Sequence, residues 1–198
     1  MNKYYSLRFD NWQLYALKEV GSTMDEIKKD CYKSKLNTLL MAYRQTDGRG
    51  RKNNKWISNL GNLFLSIKLN KFHIPDTFLL NYLTGIIIYD TINSFLAEKK
   101  NIFIKWPNDL LIDRKKIAGI LIDTYSKGSK VYDSYIGIGI NIKVAPINLD
   151  YPTTCLRHES SLNLSRKKFL KKLIFYFNYW ENIFRAQSIS YILKSWMK

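Results

Sequence analysis

Cysteine and histidine are nearly missing from this chain of 198 residues, with two of each. Cys31 and Cys155 stand far apart and no Cys-x-x-Cys pair occurs. That excludes a disulfide framework and a Cys/His zinc site, and it suits a reducing, cytoplasmic setting. Proline is scarce, with four residues, and no Pro/Ser linker, low-complexity tract or internal repeat marks a boundary. A clean membrane span is also lacking. The best stretch, Phe78 to Ala97, matches the ~20 residues of a bilayer crossing, but it carries Asn81, Asp90, Asn93 and Ser94. It reads as a buried helix. The first 20 residues mix charges among apolar side chains and have no signal-peptide core. Acidic residues are few, 16 against 32 Lys and Arg, leaving a net charge of +16.

What is present is an ordinary globular balance, 46% hydrophobic and 24% charged. The length suits one domain with a continuous core. Five Trp, 14 Tyr and 10 Phe suit a packed core or stacking surfaces. The basic excess fits a polyanionic partner, and equally the Lys-, Asn- and Ile-rich composition of AT-biased coding. Lys outnumbers Arg 24 to 8. Arg is the residue that recognises carboxylate and phosphate with two parallel donors, so each of the few Arg counts.

Local patterns predict an α+β order. Ser22-Thr23-Met24-Asp25-Glu26 has capping-box spacing and predicts a helix to about Lys33. Strands are predicted at Thr38–Arg44 and Asn62–Leu69, with a polar loop from Gln45 to Lys55 between them. A long helix follows over Thr77–Glu98. Further strands are predicted at Ile102–Trp106, Leu110–Asp113, Ile117–Tyr125 and Lys130–Ile142, with turns at Asp113–Lys116 and Lys127–Ser129. Ser165 caps an amphipathic helix running to about Arg185, and a short helix begins near Ser190.

Four segments carry candidate chemistry. Gln45-Thr46-Asp47-Gly48-Arg49-Gly50-Arg51 lies between two strands and lacks the Gly-Lys-Ser/Thr ending of a Walker loop. Its glycines let backbone approach a ligand, and Arg49 and Arg51 offer bidentate donors. Lys105-Trp106-Pro107-Asn108-Asp109 ends a strand with a cation, an aromatic face and two polar side chains. Lys116-Ile117-Ala118-Gly119 opens an apolar strand with small residues. Gly137-Ile138-Gly139-Ile140-Asn141 removes two side chains from one strand face, so a ligand, a strand or a large side chain must cover bare backbone.

In this order and spacing the segments resemble the catalytic domain of biotin protein ligases. Ser22-Thr23, Trp56, Gly61-Asn62-Leu63 and Tyr151-Pro152-Thr153-Thr154-Cys155-Leu156 extend the likeness over residues 15 to 196. The resemblance implies a mixed, largely antiparallel sheet with helices packed on it. It implies one catalytic domain over 1–198, no N-terminal helix-turn-helix domain and no C-terminal β-barrel domain. It also implies ATP-dependent activation of biotin as biotinyl-AMP, then transfer to a lysine of a biotin carboxyl carrier domain of a biotin-dependent carboxylase.

Residue roles follow by the same analogy. Ser22, Thr23 and Gln45 hold biotin, with Gly50, Gly119 and Gly137 lining its slot. Arg49 and Arg51 close over carboxylate and phosphate. Lys116 bridges the biotin carboxylate and the α-phosphate and, with Arg51, is the catalytic choice. Trp56, Lys105, Asn108 and Asn141 face the nucleotide. Mg²⁺ accompanies ATP, held by phosphates with Asp109 nearby and no dedicated protein metal site. Neither specific DNA nor a membrane is an expected partner, and a homodimer built by sheet extension is compatible with the family. Met24 stands where the family usually has Asn, and the loop continues as Lys52-Asn53-Asn54 rather than with a further Gly. Two other readings stand beside this one. A lipoate or octanoate ligase would carry a Gly run and His-Asp signature, but here His73 and His158 lie elsewhere. A nucleic-acid-binding module would use the Arg166–Lys172 segment.

Overall fold

The computed structural model describes residues 3–70, 77–96, 100–127, 130–147, 149–160, 162, 164–187, 190–191 and 194. Eight strands form one mixed sheet in the order β1-β2-β3-β4-β8-β7-β6-β5. They are β1 (Lys3–Phe9), β2 (Trp12–Val20), β3 (Asn37–Gln45), β4 (Leu63–Lys68), β5 (Ile102–Lys105), β6 (Asp109–Ile112), β7 (Lys115–Lys127) and β8 (Lys130–Ile140). Among the described residues four α-helices accompany them: α1 (Thr23–Glu26), α2 (Thr77–Asn93), α3 (Leu156–Glu159) and α4 (Arg166–Ala186). The pair β2–β3 is parallel, while β1–β2, β3–β4, β4–β8, β5–β6 and β6–β7 are antiparallel. The expected α+β class with a largely antiparallel sheet is what the chain adopts. Two compact units are present. One joins the stretch up to Thr77 with Ile120–Ile140, and the other joins Phe78–Gly119 with the stretch from Asn141 onward.

In the first unit the sequence prediction missed β1 and β2. Charged residues interrupt both, yet Trp12, Leu14 and Ala16 recur at period two and are buried, the mark of a half-buried strand. Both faces of β3 and β4 are covered, so their burial runs continuously instead of alternating. The predicted helix over Ser22–Lys33 is shorter than expected. Ser22 does cap it, accepting from the Met24 N–H at 3.2 Å, but α1 ends at Glu26 and a short 3₁₀ turn follows over Asp30–Tyr32. Packing decides this. Tyr32 enters a core with Leu17, Met24, Ile27, Leu40 and Tyr135, and its hydroxyl donates to Glu26 at 2.9 Å. A continued helix would carry Tyr32 elsewhere.

In the second unit α2 is apolar nearly all round and buried along its length, as its lack of a polar face requires. No described helix is long and apolar enough to cross a membrane. Ser165 caps α4 by accepting from the Lys168 N–H at 3.2 Å. The stripe Phe169, Leu170, Leu173, Ile174, Phe177 and Trp180 is buried at helical spacing. The predicted turn at Gly128–Ser129, His73 and most of the short helix from Ser190 lie outside the described residues.

Candidate active site

The loop after β3 lines a cavity of about 550 Å³ in the first unit. Its wall is made by residues 47–52, 54 and 55 together with Leu121 and Asp123 of β7. Gly48 is required there, since a Cβ would meet the Trp56 carbonyl at 2.6 Å and Gln45 Nε2 at 2.9 Å. The Gly50 N–H donates to the Asn54 carbonyl at 2.7 Å, and Arg49 bridges to Lys55, so the loop closes on itself. Arg49 and Arg51 both line the cavity. Arg49 Nη1 pairs with Asp25, and its Nη2 lies 3.4 Å from Asp123 Oδ2. Burial opposes the guanidinium charge, but Asp123 and Asp25 outweigh it and hold the pKa above the ordinary arginine value.

The predicted biotin contacts at Thr23 and Gln45 are joined by a directed chain of hydrogen bonds. Ser66 Oγ donates to Thr23 Oγ1 at 2.9 Å, which donates to Gln45 Oε1 at 3.0 Å. Gln45 Nε2 donates to Ser58 Oγ at 3.1 Å. The Thr23 N–H also reaches Gln45 Oε1, at 2.8 Å. A buried polar chain of this kind offers donors and acceptors in fixed directions. The bare backbone of β8 is covered by two different side chains. Met24 Cγ and Sδ would lie 2.8 Å from a Cβ on Gly137. The Trp56 indole would lie 2.3 to 2.7 Å from one on Gly139.

The second unit holds the remaining predicted residues, Lys105, Asn108, Lys116, Gly119 and Asn141. Asp109 pairs with Gly119, Leu110 with Ala118 and Leu111 with Lys116, so Ile117 is a bulge in β7. Lys116 and Gly119 are three positions apart, which in a regular strand puts them on opposite faces. The bulge takes up one residue and re-aims Lys116, whose Nζ lies 2.9 Å from Asp109 Oδ1. Lys115 is exposed. The segment 152–154 runs beside β7: the Lys116 N–H donates to the Pro152 carbonyl, and the Thr154 N–H to the Lys116 carbonyl, each at 2.9 Å. This sets the Tyr151 ring 5.2 Å from the Lys116 ammonium. Asn141 is 1% exposed, and its Nδ2 donates to the Thr154 carbonyl at 3.1 Å. It shapes that segment.

The end of β5 turns through a cis Trp106–Pro107 bond. Asn81 of α2 donates to the Pro107 carbonyl at 2.7 Å, and Tyr82 stacks on Trp106 at 5.0 Å. Lys105 is exposed and Asn108 half-buried, its N–H donating to the Lys105 carbonyl at 3.2 Å. Among the described residues no three His, Cys, Asp or Glu side chains converge as metal ligands. Asp109, the carboxylate expected near Mg²⁺, is engaged by Lys116.

The first unit offers cation-lined space and polar hydrogen-bonding groups, and the second unit, taken by itself, offers a lysine held by a carboxylate and a ring. Residues 18–141 match the family model described as the Biotin/lipoate A/B protein ligase family. The chain belongs to that family. It is 27% identical over 195 residues to the bifunctional ligase/repressor BirA of Salmonella typhimurium, covering 96% of this chain and 60% of that protein. It is 31% identical over 108 residues to a biotin–[acetyl-CoA-carboxylase] ligase of Paracoccus denitrificans, covering 54% of this chain and 45% of that one. A solved structure, the biotin protein ligase from Aquifex aeolicus in complex with biotin and ATP, superposes with a TM-score of 0.76 at 30% identity. That match covers 89% of this chain and 73% of the other. The chain therefore spans less than two thirds of the length of the curated relatives named here.

Against this family background, sequence reasoning missed several residues around the predicted set. Asp25 and Asp123 pair with Arg49, Lys28 pairs with Asp123, Ser58 and Ser66 extend the Thr23–Gln45 chain, and Tyr151 faces Lys116. Two of them left a trace: Tyr151 opens a segment of the family likeness, and Asp123 is a carboxylate inside an apolar strand, where Asp is disfavoured.

Proposed function

We propose that this chain is an ATP-dependent biotin protein ligase. The observation that carries the reading is the cavity lined by the Gly48–Arg51 loop, with Arg49 and Arg51 in its wall. Membership of the family and the likeness to the Aquifex aeolicus enzyme support it.

The chemistry is electrostatic. The biotin carboxylate attacks the α-phosphate of ATP, and pyrophosphate leaves. An acceptor lysine amine then attacks the carbonyl of the mixed anhydride, and AMP leaves. Both partners of the first step are anions, so catalysis consists of bringing them together and stabilising the charge that develops. Lys116 neutralises the carboxylate as it meets the phosphate, oriented by Asp109 on one side and the Tyr151 ring on the other. Arg49 and Arg51 bind the anion from the loop. Thr23 and Gln45 exchange their mutual bonds for bonds to the ureido ring, and Ser22, the cap of α1, adds its hydroxyl. Gly50 and Gly137 leave bare backbone for the ring in the first unit, Gly119 does the same in the second, and Met24, which covers Gly137, is the side chain the ring meets. Trp56, Lys105, Asn108 and Asn141 shape the nucleotide side. Mg²⁺ travels with ATP on its phosphates. The acceptor is the carrier domain of a biotin-dependent carboxylase, and the setting is cytoplasmic.

The deciding experiment measures pyrophosphate release with biotin and with lipoate, and incorporation of labelled biotin into a carrier domain with and without ATP. Biotin- and ATP-dependent labelling is expected. Pyrophosphate release with lipoate alone would overturn the assignment in favour of the other branch of the family.

A further inference from the structure

Asp123 is an oddity in the cavity wall. The loop contributes Arg49, Arg51, Lys52 and Lys55 to the lining together with Asp47, which lies 3.9 Å from the Lys55 ammonium, and Asp123 brings a second carboxylate into the same space from β7. An anionic ligand entering that space would be repelled by it. The same carboxylate oxygen, Oδ2, is shared by two cations. Lys28 Nζ lies 2.8 Å from it and Arg49 Nη2 lies 3.4 Å from it. Lys28 is not among the residues lining the cavity. Its ammonium is fixed from other directions, 5.4 Å from the Tyr125 ring centre and 5.7 Å from that of Tyr135. Its side chain is 21% exposed and that of Asp123 is 23% exposed. At such depth a charge pair is screened less than on the open surface. The lysine is therefore held in place by two rings and one carboxylate, while Arg49 alone of the two cations reaches the cavity.

We propose that Asp123 and Lys28 are positioning residues for Arg49: Asp123 fixes the guanidinium at the anion site, and Lys28 cancels the Asp123 charge so that the wall does not repel the biotin carboxylate or the adenylate phosphate. This rests on reading the cavity as the anion site of a biotin ligase. The geometry separates the two jobs. Arg49 is held by two carboxylates, Asp25 on Nη1 and Asp123 on Nη2, so the guanidinium stays in place when Lys28 is removed. Lys28 pairs only with Asp123 among the described ion pairs, so its removal leaves Arg49 alone to balance Asp123 and draws on the charge that Arg49 offers to the cavity. Burial works against the Lys28 ammonium, and Asp123 outweighs it, holding the pKa above the ordinary lysine value. The cation is thus present throughout the physiological range.

The test is a rescue. Lys28→Met keeps the stem and removes the charge. It should raise KM for biotin roughly tenfold, the middle of the range for coupled residues in contact, with kcat little changed. Adding Asp123→Asn to that variant removes the unmasked charge, and KM should return to the value of Asp123→Asn alone. Lys28→Arg should retain the wild-type KM. In an Arg49→Gln background, Asp123→Asn should have no further effect on KM. A merely structural ion pair would shift thermal stability in the variants that break it and leave KM unmoved. A double variant as impaired as Lys28→Met, or additive effects throughout, would overturn the proposal. Calorimetric titration with inorganic tripolyphosphate should give the same order of affinities. A wild-type chain with no biotin-dependent pyrophosphate release would sink the proposed function. The titration would still decide whether Lys28 masks Asp123.

Discussion

Lys116 and Asp109 meet at 2.9 Å because β7 carries one residue more than β6 opposite it. Lys115, one position earlier, is exposed. The pair supplies an internal control for the chemistry. Lys116→Ala should leave a folded chain with adenylate formation slowed about 10²–10³-fold, the usual cost of a lost electrostatic donor. Lys115→Ala should change stability by no more than about 0.5 kcal/mol and leave the rate alone. Single-turnover pyrophosphate release compares the two, and equal small effects would reduce Lys116 to a strand-end charge.

Arg51 is an exposed residue of the cavity loop, so its truncation should cost little stability, within about 0.5 kcal/mol. A charged hydrogen bond to the phosphate is worth roughly 1.5–3 kcal/mol. Arg51→Ala should therefore release biotinyl-AMP into solution roughly 10–100-fold faster than the parent. Retention of the intermediate at the wild-type level would remove Arg51 from the site.

The two strand glycines should respond differently to alanine. At Gly139 the new methyl would overlap the Trp56 indole, at 2.3 to 2.7 Å. At Gly137 it would meet the Met24 thioether at 2.8 Å, and methionine can swing aside. Gly139→Ala should cost about 1–3 kcal/mol by overpacking and change the tryptophan fluorescence. Gly137→Ala should cost less. Urea denaturation with emission spectra reads both. Identical penalties would mean that the indole moves as easily as the thioether.

Asp90 sets a pH dependence in the second unit. Burial raises its pKa, and the hydrogen bond donated by Trp180 Nε1 at 2.7 Å only partly opposes this. A carboxyl raised in the folded chain binds its proton more tightly there than when unfolded. Its stabilising share is present below the ordinary value of 3.8 and is lost as pH rises through the folded value. Asp90→Asn keeps an acceptor for Trp180 without the charge. It should raise Tm at neutral pH, and the gain should vanish once wild-type Asp90 is protonated. A gain that persists unchanged into acid would point to packing instead.

Some of this protein is determined locally, and that part was legible. The cap at Ser165 and the buried stripe of α4 follow from hydrogen bonding and spacing within one helix. The turn chemistry at Asp113 and Arg114, both at positive φ, is equally local. The Gly48–Arg51 and Lys105–Asp109 strings carried the family resemblance in their own order and spacing. Other features depend on partners distant in sequence. The early end of α1 is imposed by Tyr32 entering a core with Leu17 and Tyr135. The bulge at Ile117 exists only in the pairing of β7 with β6. The Met24 and Trp56 covers over β8 form only when remote segments arrive on the same strand face. Lys28 and Asp123 are 95 positions apart, and each is an unremarkable charge until folding brings them to 2.8 Å. Sequence fixes what a residue can donate, accept or bury within a few turns of its own backbone. Which charges share an oxygen, and which side chain fills the space above a glycine, is set by pairing between remote segments, whose loop-closure cost only the assembled core offsets.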